Sequence, residues 1–319
     1  MNVIREGLVT KSTGSRYFVQ CDNEEFECRI KGKLRIKGIR TTNPVSVGDI
    51  VYFEPQNETS ESGRPLGIIS RLKDRKNYII RRSVNLSKES HIIAANIDQA
   101  FILATVNYPV TMLNFIDRFL VTAEAYNIPA VLVFNKIDLY NEAEMDKVNQ
   151  WFGIYHEIGY KCIATSAKTG QGMDELETIM KDQISVFGGY SGVGKSSLIN
   201  YIDPNLNLKT SILSIANNAG KHTTTFSEMF KLNIGGYIID TPGIRSFGMI
   251  DMKNDDVSHY FPEIFKVSEQ CRFNNCKHTH EPDCAVKNAV ENGEIAISRY
   301  ESYLSIQNDD EDEKYRVGP

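Results

Sequence analysis

Gly188 to Asn200 reads GGYSGVGKSSLIN, and this stretch decides how the rest of the chain is read. Residues 189–196 fit G-x-x-x-x-G-K-[ST] directly after the apolar run QISVF and directly before KSSLINYI, the strand–loop–helix setting in which the pattern binds phosphate. Gly189, Gly192 and Gly194 let the backbone curl, so that N–H groups around Ser191 and Val193 aim at a β-phosphate, and the helix that follows adds its dipole. Lys195 reaches for the β- and γ-phosphates and Ser196 for Mg²⁺, with Ser197 next in the same set. A glycine-rich turn without a ligand is the alternative, and the flanking strand and helix disfavour it. The loop's position raises a question, because 187 residues precede it where a nucleotide-binding domain normally starts.

Working outward, 319 residues of ordinary apolar and charged content exceed one small domain and point to two or three globular units. No apolar run approaches the roughly 20 residues that span a bilayer, and MNVIREGLVT lacks the apolar core of a secretory signal. A soluble, cytoplasmic protein with no membrane partner is expected. Six cysteines suggest reduced thiols or metal ligands more than a disulfide framework. A net charge of −5 gives no global reason to expect nucleic acid.

Residues 1–72 carry short alternating segments broken by turn residues: GLVTKS, RYFVQC, EFECRI, VGDIVYFEP and RPLGIISRL. That spacing predicts a small all-β barrel. From Asp98 the pattern changes to buried strands, QAFILATV, AVLVF, KCIATS, QISVF and GYIID, with helical stretches between several of them. In MLNFIDRFLVTAEAYN, Leu113, Ile116, Leu120 and Ala123 fall on one helical face. Such alternation predicts an α/β domain with a mostly parallel sheet over residues 73–248. Residues 249–319 read as a mainly helical module that ends on the acidic run DDEDE, expected to be a solvated, frayed tail.

Asn135-Lys136-Ile137-Asp138 ends the strand AVLVF, where ligands of α/β folds bind. The Asp138 carboxylate can accept from guanine N1–H and its exocyclic amine, a donor pair that adenine lacks, so the motif selects guanine. Ser166-Ala167-Lys168 follows the next strand and caps the base from the other side. Asp240-Thr241-Pro242-Gly243 ends GYIID, with Asp240 placed to hold Mg²⁺ through water and the Gly243 N–H to meet a γ-phosphate. Between phosphate loop and Asp240 lies ILSIANNAGKHTTTF, long and aperiodic, as suits a switch loop that supplies a threonine to Mg²⁺. Thr224 is favoured over Thr223 and Thr225. The motifs of a GTPase are thus all present, with the base motifs ahead of the phosphate loop: a circular permutation, tolerable because a fold needs the spatial arrangement of its strands and domain termini often lie close together.

Cys271, Cys276, His278 and Cys284, spaced C-x4-C-x-H-x5-C, suit one closed tetrahedral Zn²⁺ site per chain. His280 is an alternative ligand to His278, and a redox pair of cysteines is the runner-up reading. Cys21, Cys28 and Cys162 read as ordinary half-buried thiols. RIKGKLRIKGIR interleaves Arg29, Lys31, Lys33, Arg35, Lys37 and Arg40 with Ile and Leu, so one face of a strand pair could offer cations to RNA. A solvated, lysine-protected edge strand is the alternative.

Taken together, NKID at 135, SAK at 166, the loop at 189, KHTTT at 221, DTPG at 240 and the Cys/His cluster resemble the RsgA (YjeQ) small-ribosomal-subunit biogenesis GTPases over nearly the whole chain. Tyr190, where a polar residue is expected, and Lys221, where an Arg is expected, are small departures. The resemblance implies an N-terminal OB-fold, a permuted GTPase domain and a C-terminal zinc domain. It implies a late 30S assembly factor, contacting 16S rRNA, whose conversion of GTP to GDP with Mg²⁺ is stimulated by the subunit. A monomer is expected. The alternatives are a nucleotide-gated RNA scaffold with incidental hydrolysis and a translation factor on mature ribosomes. Ile244 follows Gly243 where a Ras-like enzyme has its water-orienting glutamine, which makes His222 the candidate catalytic residue in cis, against a plain solvent-exposed histidine.

Overall fold

The computed structural model describes residues 3–30, 44–82, 90–206, 228–240 and 254–315, with side chains left out at 81–82, 90–91, 240, 254–256 and 309–315. Its contacts divide the chain into two units, Met1–Ala100 with Asp174–Phe187 and Ser196–Arg245, and Phe101–Met173 with Gly188–Lys195 and Ser246–Pro319.

In the first unit, the alternating segments become β1 (Arg5–Ser12), β2 (Tyr17–Cys21), β3 (Glu24–Ile30), β4 (Ile50–Thr59) and β5 (Pro65–Leu72). They run in the order β1-β2-β3-β5-β4, and β4 pairs back onto β1, so the five strands close. All pairs are antiparallel except β3 with β5, and closure leaves no long free edge within the set. The period-two pattern puts Val9, Tyr17, Val19, Phe26, Cys28, Val51, Phe53 and Ile69 inside. Cys21 and Cys28 are therefore buried, deeper than the sequence suggests. A hairpin, β6 (Tyr78–Arg82) with β7 (Ser90–Ala95), follows the barrel and was not anticipated. The unit also holds β11 (Ile184–Gly188) parallel to β13 (Tyr237–Asp240), and β12 (Glu228–Lys231) antiparallel to β13. β12 also meets β1 at Lys11 and Glu228, whose side chains bond at 3.0 Å. Four residues with two charges, EMFK, carry too little period to have been read as a strand.

The second unit is entered along β8 (Gln99–Ala104) and contains α1 (Leu113–Ala125), β9 (Ala130–Asn135), α2 (Glu142–Ile158) and β10 (Lys161–Thr165). The strands stand in the order β10-β9-β8, with β9 and β10 parallel. A capping box of Asn141 and Glu144 opens α2, and Gly159 closes it. α3 (Met173–Met180) and α4 (Lys195–Ile202) begin where the chain passes between units. The expected face of α1 is buried at Ile116, Leu120 and Ala123, but so are Asp117, Phe119, Val121 and Thr122. A helix buried on more than one side has two neighbours, and here the second is α7.

The C-terminal module comprises a 3-10 turn at Asn254–Tyr260, α5 (Pro262–Ser268), the cysteine-bearing loop, α6 (Ala285–Glu291) and α7 (Ile297–Tyr315). Its apolar cluster joins Val257, Phe261, Ile264, Val286, Ile295, Tyr303 and Ile306 to Val121 of α1. The acidic run is not a frayed tail, because the backbone stays helical to Tyr315. No described helix is long and apolar enough to cross a membrane.

Candidate functional site: a phosphate loop with its base motifs, and a cysteine knuckle

β11 delivers the chain to Gly188 and α4 takes it up at Lys195. Between them Gly189, Gly192 and Gly194 have positive φ (139°, 84° and 101°), the curled backbone the sequence predicts. Gly194 also has no room for a side chain, since a Cβ would lie 2.3 Å from Asn135 Nδ2. Lys195 folds back over its own loop, donating to Gly189 O at 2.7 Å and Tyr190 O at 2.8 Å.

The two base motifs come to this loop in space. Asn135 Nδ2 donates to Val193 O at 2.8 Å, and Asn135 Oδ1 accepts from Thr165 Oγ1 at 3.1 Å. Lys136, in the left-handed conformation (φ 66°), donates to Gly192 O and to Tyr108 O, each at 2.6 Å. Burial lowers the Lys136 pKa while Asp138 acts against it. Ser166 Oγ donates to Asp138 Oδ1 at 2.6 Å and accepts from Thr169 N–H at 3.2 Å, which fixes the carboxylate's direction. Asp138 and Lys168 are exposed while Asn135 and Ser166 are buried. Tyr140 joins the set through a hydroxyl that donates to Asn135 O at 2.8 Å and accepts from Val106 N–H at 3.2 Å, and burial pushes its pKa up to about 12. Sequence reading missed Thr165, Tyr140 and Tyr108. Thr165 could have been found as the residue before SAK, but the other two act through a hydroxyl and a main-chain carbonyl that no motif records.

Ser196 is nearly buried at the start of α4. Asp240 ends β13, as expected for the last residue of GYIID. His222, Thr224 and Gly243 lie outside the described residues, as do Lys31, Lys33, Arg35, Lys37 and Arg40, while Arg29 is exposed on β3.

The cysteine loop forms the one candidate metal cluster among the described residues, with the donor atoms of Cys271, Cys276, His278 and Cys284 all within 4.8 Å of one another. Cys271 Sγ and Cys284 Sγ are 4.0 Å apart and stand 3.6 and 3.5 Å from His278 Nδ1. A tetrahedral Zn²⁺ with Zn–S near 2.3 Å requires S···S separations of about 3.8 Å, so the donor set fits that ion. No pair among the six cysteines is a disulfide. Burial lowers the His278 pKa, which favours the neutral form that ligates, with Glu281 opposing. Burial and the neighbouring Cys284 and Cys271 push the Cys276 thiol up to about 12; such crowded thiols ionise together only around a cation.

The knuckle is held from outside. His278 adopts a left-handed φ of 56°. Tyr300 and Tyr303 of α7 donate to His278 O at 2.6 Å and Lys277 O at 2.8 Å. The Glu281 carboxylate accepts from the N–H groups of Lys277, Thr279 and His280. Desolvation acts to raise its pKa, but the N–H groups of Lys277, of Glu281 itself and of Thr279 prevail and hold it down to about 2. His280 is exposed, next to Thr279 Oγ1, and is not in the donor cluster.

Comparison with known proteins agrees with this geometry. The family model described as RsgA GTPase matches residues 72–250, and that described as RsgA N-terminal domain matches residues 6–62. The chain is 54% identical to the small ribosomal subunit biogenesis GTPase RsgA of Flavobacterium psychrophilum, over 98% of this chain and 94% of the relative. It is 55% identical to the protein of that name from Flavobacterium johnsoniae, over 98% and 95%. Among solved structures it is similar to YjeQ from Thermotoga maritima, with a TM-score of 0.77 and 38% identity over 97% of this chain and 99% of that one. It is also similar to YloQ, described as a circularly permuted GTPase, with a TM-score of 0.75 and 30% identity over 98% and 96%.

Proposed function

The chain belongs to the RsgA GTPase family, and from that premise we propose that it hydrolyses GTP to GDP and phosphate during late assembly of the small ribosomal subunit. One observation carries the reading. Asn135 and Lys136 bond the carbonyls of Val193 and Gly192, 58 and 56 residues further along the chain, so a permuted sequence rebuilds the contact between base motif and phosphate loop. GTP then lies with its guanine on Asp138, flanked by Ser166, Ala167 and Lys168, and its phosphates on the main chain of Gly189, Ser191, Gly192, Val193, Gly194 and on Lys195. Ser196, Thr224 and Asp240 are the Mg²⁺ ligands of this reading, and Gly243 meets the γ-phosphate. Mg²⁺ supplies charge neutralisation at the β- and γ-oxygens. Zn²⁺ is the structural ion of the Cys271/Cys276/His278/Cys284 knuckle, which has no open coordination position for chemistry.

The partners of this reading are the 30S subunit and its 16S rRNA, met in part by the cationic stretch Arg29–Arg40. The protein acts as a cytoplasmic monomer. The test is GTP turnover with and without 30S subunits at fixed Mg²⁺. Slow turnover alone and strong stimulation by 30S subunits are expected. Turnover unaffected by the subunit would overturn the assembly role, and absence of turnover in both arms would leave only a nucleotide-gated scaffold.

A further inference from the structure

Two sets of contacts meet on opposite sides of α1. Toward the phosphate loop, Phe115 stacks on Tyr190, with ring centroids 4.2 Å apart and planes tilted by 32°. Phe119 packs so closely on Gly188 that a Cβ there would lie 2.2 Å from its ring. Toward the C-terminal module, Asp117 Oδ1 accepts from Arg299 of α7 at 2.7 Å, and Asn114 Nδ2 donates to Ser305 Oγ at 2.8 Å. Val121 enters the module's apolar cluster. Phe115 and Asp117 are two residues apart, and Phe119 and Asp117 likewise, so neighbouring turns of one rigid helix carry both sets.

We propose that Tyr190 and Phe115 are positioning residues that tie the phosphate loop, through α1, to the seat of the zinc-bearing module, so that nucleotide binding and module docking stabilise each other. The inference rests on the reading of Gly189–Ser196 as the phosphate site. Close-packed contacts transmit displacement because their interiors have no slack, and a helix end that bears on a glycine-lined turn fixes that turn's backbone. Tyr190 adds an aromatic face where a short polar residue would leave Phe115 nothing to stack on. The route is separate from switch two, whose connection to the module is covalent. Linkage makes the coupling reciprocal.

The experiment uses the full-length, zinc-loaded chain. Amide exchange of α5 and α7 is measured with and without saturating GDP, and GDP affinity is measured for the wild type, Arg299→Met, Tyr190→Ala, Tyr190→Phe and Phe115→Leu. GDP is expected to slow exchange in α7 about fivefold in the wild type and in Tyr190→Phe, and to leave it nearly unchanged in Tyr190→Ala and Phe115→Leu once each is saturated. Arg299→Met is expected to weaken GDP binding about fivefold by the same coupling. A purely structural role for the stack would not make α7 exchange depend on nucleotide. GDP bound normally with no effect on α7, or an equal effect in Tyr190→Ala, overturns the proposal, the second outcome assigning the coupling to switch two. Failure of the wild type to bind GDP at all would instead overturn the phosphate-site reading.

Discussion

Ser166 shows how much one hydroxyl decides at this site. Its 2.6 Å hydrogen bond aims the Asp138 carboxylate, and a charge-assisted bond of this kind contributes about 1.5–3 kcal/mol. Ser166→Ala is therefore expected to weaken GTP binding about tenfold or more without altering the fold, as read by titration with a fluorescent GTP analogue. Asp138→Asn goes further: it weakens GTP binding and improves binding of xanthosine triphosphate, because the amide supplies the donor that the xanthine carbonyl needs. Unchanged GTP affinity would remove Asp138 from the base site. In the knuckle, Cys271→Ser and Cys284→Ser are each expected to lose the ion from a protein that otherwise carries about one Zn²⁺ per chain. His278→Ala should lose it too while His280→Ala keeps it, since only His278 Nδ1 lies in the donor cluster; elemental analysis separates the two.

At the level of elements, α1, α5 and α7 are locked by a buried charge group. Arg299, 1% exposed, bonds Asp117 and, through two nitrogens, Glu263 at 2.7 and 3.2 Å, between the rings of Phe261 and Tyr155. Tyr155 of α2 donates to the same Asp117 oxygen at 2.7 Å. Burial alone would lower the Arg299 pKa, but the two carboxylates hold it well above the ordinary range. Removing the cation leaves Asp117 buried and uncompensated beside the half-buried Glu263, which costs about 3–5 kcal/mol. Arg299→Met is accordingly expected to lower the unfolding free energy of the C-terminal module by that much, read from urea titrations followed by far-UV and tyrosine signals. A loss below about 1 kcal/mol would mean that water reaches the carboxylates. Because Val121 of α1 shares the module's apolar cluster, metal loss is expected to weaken nucleotide binding as well, since a loosened module withdraws its support from α1.

For the molecule as a whole, the attacking water needs a polar group to orient it, because the Ile244 side chain has none. If His222 does, the free protein hydrolyses GTP slowly and the 30S subunit accelerates it by ordering the switch loop. His222→Ala is then expected to keep GTP affinity within about twofold while losing most of the 30S-stimulated single-turnover rate, a loss of about 10²-fold or more. Full stimulation in the variant would assign the water to another group, including one supplied by the ribosome.

Sequence alone determined whatever depends on local pattern. Five barrel strands were legible because inward and outward residues alternate, as in Tyr17, Val19 and Cys21 of β2. The glycine-curled loop at 189–196, its contact with NKID and the four clustered Cys/His donors were legible because main-chain curvature and a metal-type donor set each demand fixed residue types at fixed short spacing. Tertiary structure decided what depends on residues far apart in the chain. Asp117 and Arg299, separated by 182 positions, carry no local sign that they meet, since a charge on a helix reads as solvated until a partner in the fold makes burial tolerable. Tyr190 looked like a small departure from a motif, and only the placement of Phe115 gives it a partner. The β6–β7 hairpin and β12 escaped notice because their pairing energy comes from neighbouring strands, and the helical course of the acidic run escaped because α7 is held from its buried N-terminal half by packing that composition does not encode.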